Sequence, residues 1–336
     1  MDLGIFDSDK FSLQELTAAI NEAPPLPSRL AALGLFQEDG IISTSLAVEK
    51  DVDTLTLIPN QSRSSTTPHA TGGSTRSVVM FPTTHLPTQD TISPDDVQNL
   101  RAFGTASDVE TMVTFVQKRL AKMRRRLDAT IEYQRVGAIK GTIIDSDSTT
   151  VISNLFTQFG LSQQTHNLDL LTSTTDVRAE VLAAKDKMET ALANEPYSGA
   201  RVLCGKTFFR ALIAHANVAK AYELYESGVF LRNDPRFGFE FAGATFEEWR
   251  GGIGGTPFIA DGEAYIFPEG VEEMFITRFA PANYNETANT IGLPNYAKQE
   301  PKPLGKGILL EAQSNPISIC TRPRAVIRLT MTKITE

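Results

Sequence analysis

The residue types most suggestive of chemistry are Gly205, Lys206 and Thr207, which resemble the end of a phosphate-binding loop. Such a loop needs another glycine, separated from the Gly–Lys pair by four residues, so that backbone amides can wrap the phosphates. That position is Ala200, and Gly199 lies one residue too early. The three residues before Gly205 have strand character where the loop should be rich in glycine. We therefore expect a helix start here, and a P-loop-type nucleotide-binding enzyme is kept as an alternative.

No other group of residues has the spacing of an active site or a metal site. Cys204 and Cys320 lack metal-type spacing, and two free thiols are favoured over a single disulfide. The adjacent acids Glu247 and Glu248 would point to opposite faces of a strand, which makes them poor partners in acid–base catalysis. The histidines are scattered along the chain, at His69, His85, His166 and His215. The sequence therefore predicts no enzyme, no cofactor and no metal site.

The composition is that of a folded, acidic protein. Of 336 residues, 41% are hydrophobic and 21% are charged, which argues against wholesale disorder and allows two or more compact units. The net charge of -8 argues against sequence-specific binding of nucleic acid, because phosphates attract a basic surface. No window approaches the roughly 18 apolar residues of a membrane span, and the opening is unlike a secretory signal. We expect a soluble protein made in the cytoplasm.

The stretch 107–135 predicts one long helix, around which the other elements are arranged. Ser107 and Glu110 form a capping box at its start. The apolar residues that follow alternate at spacings of four and three, which draws a narrow seam along a rod of roughly 40 Å. The seam consists of Val109, Val113, Val116, Leu120, Met123, Leu127 and Ile131. Two interpretations stay open, a spine under a thin sheet-like body and an ordinary buried helix.

Six basic residues crowd the middle of this helix. They are Lys118, Arg119, Lys122, Arg124, Arg125 and Arg126. In an acidic chain they favour contact with acidic groups of a neighbouring chain, or plain solvation.

Two extensions are predicted before the long helix. Residues 11–20 form a short amphipathic helix with a capping box at Ser12 and Glu15, and a proline cluster stops it, so this piece is interpreted as an arm. Extended runs at 41–59 and 77–86 can pair as a hairpin. The polar loop between them, residues 60–76, is interpreted as a second arm reaching a neighbouring subunit, with an unattached tip as the alternative.

The rest of the chain predicts a hairpin and a separate α+β unit. Strands at 141–144 and 149–155 are joined by a polar turn, and polar residues 162–175 mark a boundary. Beyond it, apolar spacing predicts a helix from Val177 to Leu192, a strand at Arg201–Cys204 and one helix over 206–227. Short strands follow around Phe239, Trp249, Phe258 and Tyr265. Residues 280–303 are expected to be irregular, and the closing stretch returns to β-like composition.

Several segments in order resemble the lambda-type major capsid protein family of tailed bacteriophages. They are FSLQELTAAIN at 11–21, RLAALGLFQEDGIISTSLAVEKDVDTLTLIP at 29–59, EEWRGGIGGTPFIADGEAYIFPEGV at 247–271, FAPANYNETANTIGLPNYAKQ at 279–299 and QSNPISICTRPRAVIRL at 313–329. The resemblance covers nearly the whole chain.

The resemblance implies an α+β protein with the Hong-Kong-97-type viral capsid fold. Its parts would be an N-terminal arm at 1–45, an extended hairpin loop at 46–100, a peripheral domain at 101–174 plus 305–336, and an axial domain at 175–304. It further implies a structural subunit that self-assembles as pentamers and hexamers into an icosahedral head around double-stranded DNA. A host-encoded compartment shell of the same fold is the second alternative.

The implied partners are other copies of the chain, scaffolding, portal and head-decoration proteins, and enclosed double-stranded DNA without sequence-specific binding. No membrane is implied, and the expected location is the virion, after assembly in the host cytoplasm. Candidates for contact between subunits are the arginines of the loop and the long helix. They are Arg63, Arg76, Arg119, Arg124, Arg125 and Arg126.

Overall fold

The computed structural model describes residues 9–52, 75–98, 108–193, 195–224, 238–253 and 256–332. In chain order the described helices are α1 (Leu13–Glu22), α2 (Arg29–Ala32), α3 (Pro94–Gln98), α4 (Asp108–Lys140), α5 (Leu155–Phe159), α6 (Val177–Leu192), α7 (Lys206–Ala214) and α8 (Ala216–Leu224). Helices and strands both contribute, which agrees with the predicted α+β class.

The described strands form one six-stranded sheet, two three-stranded sheets and three two-stranded sheets. They are β1 (Gln37–Gly40), β2 (Ser45–Val52), β3 (Thr75–Pro82), β4 (Leu86–Ile92), β5 (Thr142–Ile144), β6 (Val151–Asn154), β7 (Gln164–Asn167), β8 (Gly199–Cys204), β9 (Phe239–Phe241), β10 (Ala244–Glu248), β11 (Gly252–Ile253), β12 (Thr256–Pro257), β13 (Glu263–Glu269), β14 (Phe275–Phe279), β15 (Tyr296–Pro301), β16 (Ile308–Ser314), β17 (Pro316–Cys320) and β18 (Ile327–Thr330).

The long helix α4 is present and runs five residues beyond the predicted end, for 33 residues or about 50 Å. It stops where Gly141 adopts a φ of +82°, and a side chain there would collide with the ring of Phe156. Ser107 lies outside the described residues, and so does the predicted capping box. The seam residues whose burial is described face the interior, with only Val113 partly exposed.

The described residues form three apolar cores, two of which include residues of α4. The first half of α4 packs with α1 and with the three-stranded sheet β15–β16–β4. Its last turns pack on the sheet β1–β14–β17, through Val136, Ala138 and Ile139. The third core lies between the six-stranded sheet and helices α6 and α7. The seam of α4 therefore lies in one core, and residues beyond its end join the helix to a second core.

The six-stranded sheet has the order β7–β18–β13–β8–β10–β9. Helix α6 begins at the capping residue Asp176 and buries Val177, Val181, Ala184, Met188 and Leu192, which are the five residues of the predicted amphipathic pattern. The predicted strand at Arg201–Cys204 is β8, extended to Gly199. These two elements follow directly from local periodicity.

The prediction of one helix over 206–227 is wrong. Helices α7 and α8 are separated at His215, whose backbone is extended (φ -66°, ψ 133°). The His215 ring bonds the carbonyl of Thr172 through Nε2 at 3.0 Å, and Nδ1 accepts the amide of Asn217 at 3.3 Å. The buried ring therefore fixes the break. The predicted end of this helix, at residue 227, lies outside the described residues.

Residues 280–303 are less irregular than expected, because β15 pairs with β16 and β16 pairs with β4 over seven residues. The strands also pair across the predicted division of the chain. β18 lies in the six-stranded sheet between β7 and β13, and β14 pairs with β17. The division into peripheral and axial domains stays a prediction, and these pairings tie the two parts together.

Candidate subunit interface

The site with the shape of a phosphate loop has no room for a phosphate. Gly205 is the N-cap residue of α7, and a side chain at this position would collide with the carbonyl of Ala260. The amide of Gly205 donates to the carbonyl of Glu263 and that of Phe208 to Asp261, both at 2.8 Å. The turn 260–263 thus occupies the start of α7, and the predicted helix start is the correct interpretation.

The root of the β2–β3 hairpin is a two-stranded sheet whose outer face is not covered by any described residue. Its inner face, including Leu46 and Val79, packs on the body. Val78 and Met80 lie on the outer face and are 58% and 54% exposed. Ala47 is paired with Met80 in the register and is also exposed. The structure confirms the predicted pairing of the extended runs, while residues 53–74 of the loop lie outside the described part.

A second exposed apolar group lies where residues 40–42 meet residues 291–293. The amide of Gly292 donates to the carbonyl of Ile41 at 3.0 Å, which brings the two segments together. The neighbouring side chains Ile42 and Ile291 are 59% and 63% exposed. Exposed apolar side chains that lie together are candidates for contact with other molecules.

A row of polar side chains on α4 holds the segment that follows α1. Arg124 donates through Nη1 to the last carbonyls of α1, that of Ile20 at 2.9 Å and that of Asn21 at 2.6 Å. Four residues further along α4, Asp128 accepts the amide of Leu26 at 2.9 Å. Burial raises the pKa of Asp128 above its usual value, against the opposing effects of that amide and of Arg124.

The same row continues for two more turns of α4. Glu132 accepts the hydroxyl of Ser28 at 2.6 Å and the amide of Leu30 at 3.1 Å. Arg135 then donates to Glu38 at 2.6 Å, and its guanidinium lies over the Phe36 ring. The spacing of these four residues along a helix is a signal present in the sequence, but it becomes informative only once the partner segment is known.

These contacts attach the described part of the predicted N-terminal arm to its own subunit. Helix α1 does begin after Ser12, whose hydroxyl accepts the amide of Glu15 at 3.4 Å, and it ends before the prolines. However, Leu16 and Ile20 are buried against α4 of the same chain. From Asp9 onward, the predicted arm is therefore part of its own body, because its apolar face matches the first half of the seam.

The predicted contact arginines differ in their surroundings. Arg63 lies outside the described residues, and Arg76 stands opposite Asp51 in the β2–β3 register. Arg119 is paired with Asp90 at 3.0 Å, and Arg124 holds the end of α1, so both have partners within the chain.

Arg125 and Arg126 belong instead to the solvent side of α4. With Lys118 and Lys122 they form a strip of four exposed basic side chains, which we call the basic strip. At 100° per residue these positions lie opposite the apolar seam. None of the four is ion-paired within the described part of the chain. Their role in subunit contact stays a prediction.

An ion-pair network centred on the buried carboxylate of Glu247 joins the N-terminal segment to the six-stranded sheet. Both oxygens of Glu247 accept from Arg29, at 2.5 and 2.9 Å, and Oε2 also accepts from Arg201 at 3.1 Å. Arg201 also forms an ion pair with Glu269. The hydrogen bond to Glu247 is the main cause of the raised pKa of Arg29. Sequence reasoning missed this network because its members lie far apart in the chain.

Within the described ranges, no group of histidine, cysteine or acidic side chains is arranged to hold a metal ion. Cys204 and Cys320 are both buried and free, as predicted, and burial raises the pKa of each thiol, that of Cys320 to about 12. No described helix, α4 included, has the length and apolar character of a bilayer span.

The fold is that of solved phage capsid subunits. The mature capsid subunit of bacteriophage PhiM1 superposes with a TM-score of 0.54 at 10% identity, covering 92% of this chain and 88% of that one. This similarity confirms the predicted Hong-Kong-97-type fold.

Sequence comparison supplies the family. The chain is 27% identical to the major capsid protein of Pseudomonas phage KPP10, over 95% of this chain and 97% of the relative. It is 25% identical to the major capsid protein of Salmonella phage Felix O1, over 96% of each. The profile of the family described as "Phage major capsid protein E" matches residues 12–331. The chain therefore belongs to the phage major capsid protein E family.

Proposed function

We propose that copies of this chain assemble as pentamers and hexamers, and these into the icosahedral head shell around double-stranded DNA. Family membership supports the capsid role, and the exposed outer face of the β2–β3 hairpin is the observation that carries the assembly mechanism. A two-stranded hairpin is marginal in water by itself, and Val78 and Met80 on its outer face stay more than half exposed within the described part of the chain. A neighbouring copy would cover that face.

In this mechanism much of the stability belongs to the shell. Each interface repeats under the symmetry of the particle, so a modest apolar face contributes many times over. A net charge of -8 suits a container, because a strongly basic lining would hold DNA too tightly to release it.

The proposed role as a capsid subunit also implies a location, partners and working parts for the chain. The chain would be a virion component assembled in the host cytoplasm, with scaffolding, portal and decoration proteins as further partners and no catalytic activity. The arm at 1–45, loop at 46–100, peripheral domain at 101–174 with 305–336, and axial domain at 175–304 are the proposed working parts. The packing of α1 on α4 supports assigning the described part of the arm to the body that carries α4.

Electron microscopy of the expressed chain tests this proposal. We expect closed particles of uniform diameter, or rings of five and six subunits that close into particles when scaffolding protein is supplied. Protein that stays monomeric under both conditions would overturn the proposal. Closed particles that exclude DNA in the presence of the packaging machinery would overturn the part that concerns the genome.

A further inference from the structure

A cavity of about 340 Å³ opens beside the spine helix, between residues 26–29, α4 and the loop after β10. Its walls include Leu26, Ala129, Trp249 and Phe258. This volume is within the range of protein pockets that bind ligands. The cavity is distinct from the hairpin face and from the apolar group at Ile42.

Two polar side chains that line the cavity are buried without partners. Trp249 is 6% exposed, and its indole Nε1 has no acceptor within the described residues. The Glu248 side chain is 8% exposed, and its Oε2 has no donor there. Buried polar groups in native proteins are nearly always paired. One unmet donor and one unmet acceptor at a single cavity therefore indicate that something else is bound there in the working assembly.

The other carboxylates of the cavity wall are already occupied. Glu247 is held by two arginines, and Glu132 accepts from Ser28 and Leu30. Glu248 differs, since among the described residues its Oε1 is recorded only at 4.0 Å from Arg250, beyond hydrogen-bond distance. The unmet requirement is therefore specific: an N–H for Glu248 and an oxygen for Trp249. An amide group supplies both within one small planar unit.

The approach to the cavity is basic. Lys118, Lys122, Arg125 and Arg126 form the basic strip on the solvent side of α4, and Ala129 continues the same side into the cavity wall. The strip favours an acidic partner, and the chain itself carries a net charge of -8. A second copy therefore offers both the required charge and, in its asparagine, glutamine and backbone groups, the required amide.

We propose that the Trp249–Glu248 cavity is a subunit socket that receives an amide group from an acidic segment of a second copy. The amide N–H donates to Glu248 Oε2, and its oxygen accepts the indole N–H of Trp249. The basic strip binds the acidic residues that flank the amide. This inference rests on the proposed shell function and adds a specific contact to it.

Trp249 is the single tryptophan of the chain, so its fluorescence reports on the socket directly. Acrylamide, a small amide of suitable size, should quench Trp249 in the unassembled subunit and quench it less once particles form. Unchanged quenching in well-formed particles would overturn the socket while leaving the shell function intact. Wild-type protein that forms no particles would overturn both.

Filling the cavity supplies the matched test. Ala129→Phe should raise the concentration needed for assembly about tenfold, the effect of losing one well-made buried contact. Gln117→Phe, at an exposed position of the same helix away from the cavity, should assemble like the wild type. Equal assembly of both variants would overturn the proposal.

A second variant tests the proposal in case Ala129→Phe does not fold. Trp249→Phe keeps an aromatic side chain but removes the N–H donor together with one of the two fused rings, and we expect weakened assembly with a folded subunit. Wild-type-like assembly of Trp249→Phe would contradict the role of that donor. Protection of Trp249 by single-stranded DNA in unassembled subunits would also overturn the assignment of a second copy as the occupant.

Discussion

The carboxylate of Glu132 accepts the backbone amide of Leu30 at 3.1 Å, although 102 positions separate the two residues. The same carboxylate accepts the hydroxyl of Ser28 at 2.6 Å, and Glu132 is 8% exposed. A buried side chain of α4 thereby fixes the backbone path of the N-terminal segment. The segment is attached to its own subunit before any neighbour is met.

Removing this carboxylate should destabilise the isolated subunit. Glu132→Ala leaves a buried amide and a hydroxyl without their acceptor, and we expect a loss of about 2–3 kcal/mol in the free energy of unfolding by urea. Glu132→Gln keeps one acceptor oxygen and should lose less. Glu300→Ala, at an exposed position, is the control. A Glu132→Ala variant as stable as this control would show that the contact contributes nothing.

The apolar seam of α4 should be sensitive to loss of volume. Leu120 is fully buried, and Leu120→Ala should cost about 2–5 kcal/mol of unfolding free energy, from lost burial and the cavity left behind. Lys122→Ala, two residues away on the exposed side, should stay within about 0.5 kcal/mol of the wild type. Chemical denaturation of the two variants compares them, and equal stabilities would contradict the assignment of the seam.

Substitutions on the two faces of the β2–β3 hairpin should affect different properties: those on the outer face should weaken assembly, and those on the inner face should weaken folding. Val78→Thr with Met80→Gln keeps strand propensity and removes apolar surface that no described residue covers, so the monomer should melt like the wild type while particle yield falls. Val79→Thr, on the inner face, should lower the melting temperature of the monomer. A Val78/Met80 variant with normal particle yield would exclude this face from the interface.

The basic strip should contribute to assembly through charge. Arg125→Ala with Arg126→Ala should leave the unfolding free energy within about 0.5 kcal/mol of the wild type. It should weaken assembly at low salt and make assembly less dependent on salt, because screened contacts have been removed. Arg178→Ala, an exposed arginine on α6, is the control. Light scattering at two salt concentrations distinguishes the variants; an unchanged salt dependence would argue against a charged interface at this strip.

Asp128 should give stability a characteristic dependence on pH. Its pKa in the folded state is raised by burial above the usual 3.8, so the folded chain binds the proton more tightly than the unfolded chain. The stability gained from this tighter proton binding is fully present below pH 3.8 and is lost as the pH rises through the pKa of the folded state. Asp128→Asn should therefore gain stability relative to the wild type over that rise. A difference that does not change with pH would contradict the raised pKa.

Asp147 should give stability a dependence on pH opposite to that from Asp128, because its pKa is lowered and not raised. Its carboxylate accepts the Thr150 hydroxyl and the amides of Thr149 and Thr150, which lowers its pKa. Its contribution is therefore present above the usual pKa and lost as pH falls through the lowered value. Asp147→Asn should remove stability near neutral pH and matter least in strong acid, as measured by thermal unfolding at several pH values.

Local pattern was sufficient for elements that bury a regular face. The five apolar positions of α6 and the seam of α4 repeat at helical spacing, so their burial could be read before any tertiary contact was known. The helix break at His215 could not be predicted from local pattern, since it depends on a hydrogen bond to Thr172, 43 positions away. Strand β15 was missed for a similar reason, because its sequence YAKQEP is mostly polar and its pairing is with β16, a separate segment of the chain.

The interface was only partly accessible to sequence reasoning. Composition indicated a basic cluster but did not distinguish Arg124, which holds α1, from Arg125 and Arg126, which face solvent. One residue of helical rotation decides between these roles, and that rotation is set by the packing of α1 and the sheets. The unpaired atoms of Glu248 and Trp249 are invisible in sequence, since a missing hydrogen bond is a property of the folded surroundings.

Sedimentation velocity of the purified chain over rising concentration tests self-assembly most directly. We expect a sharp threshold above which subunits convert to large closed particles, with the Val78/Met80 variant shifted to higher concentration. A wild-type chain that sediments as a compact monomer throughout, with scaffolding protein present, would contradict assembly through exposed surfaces of this subunit.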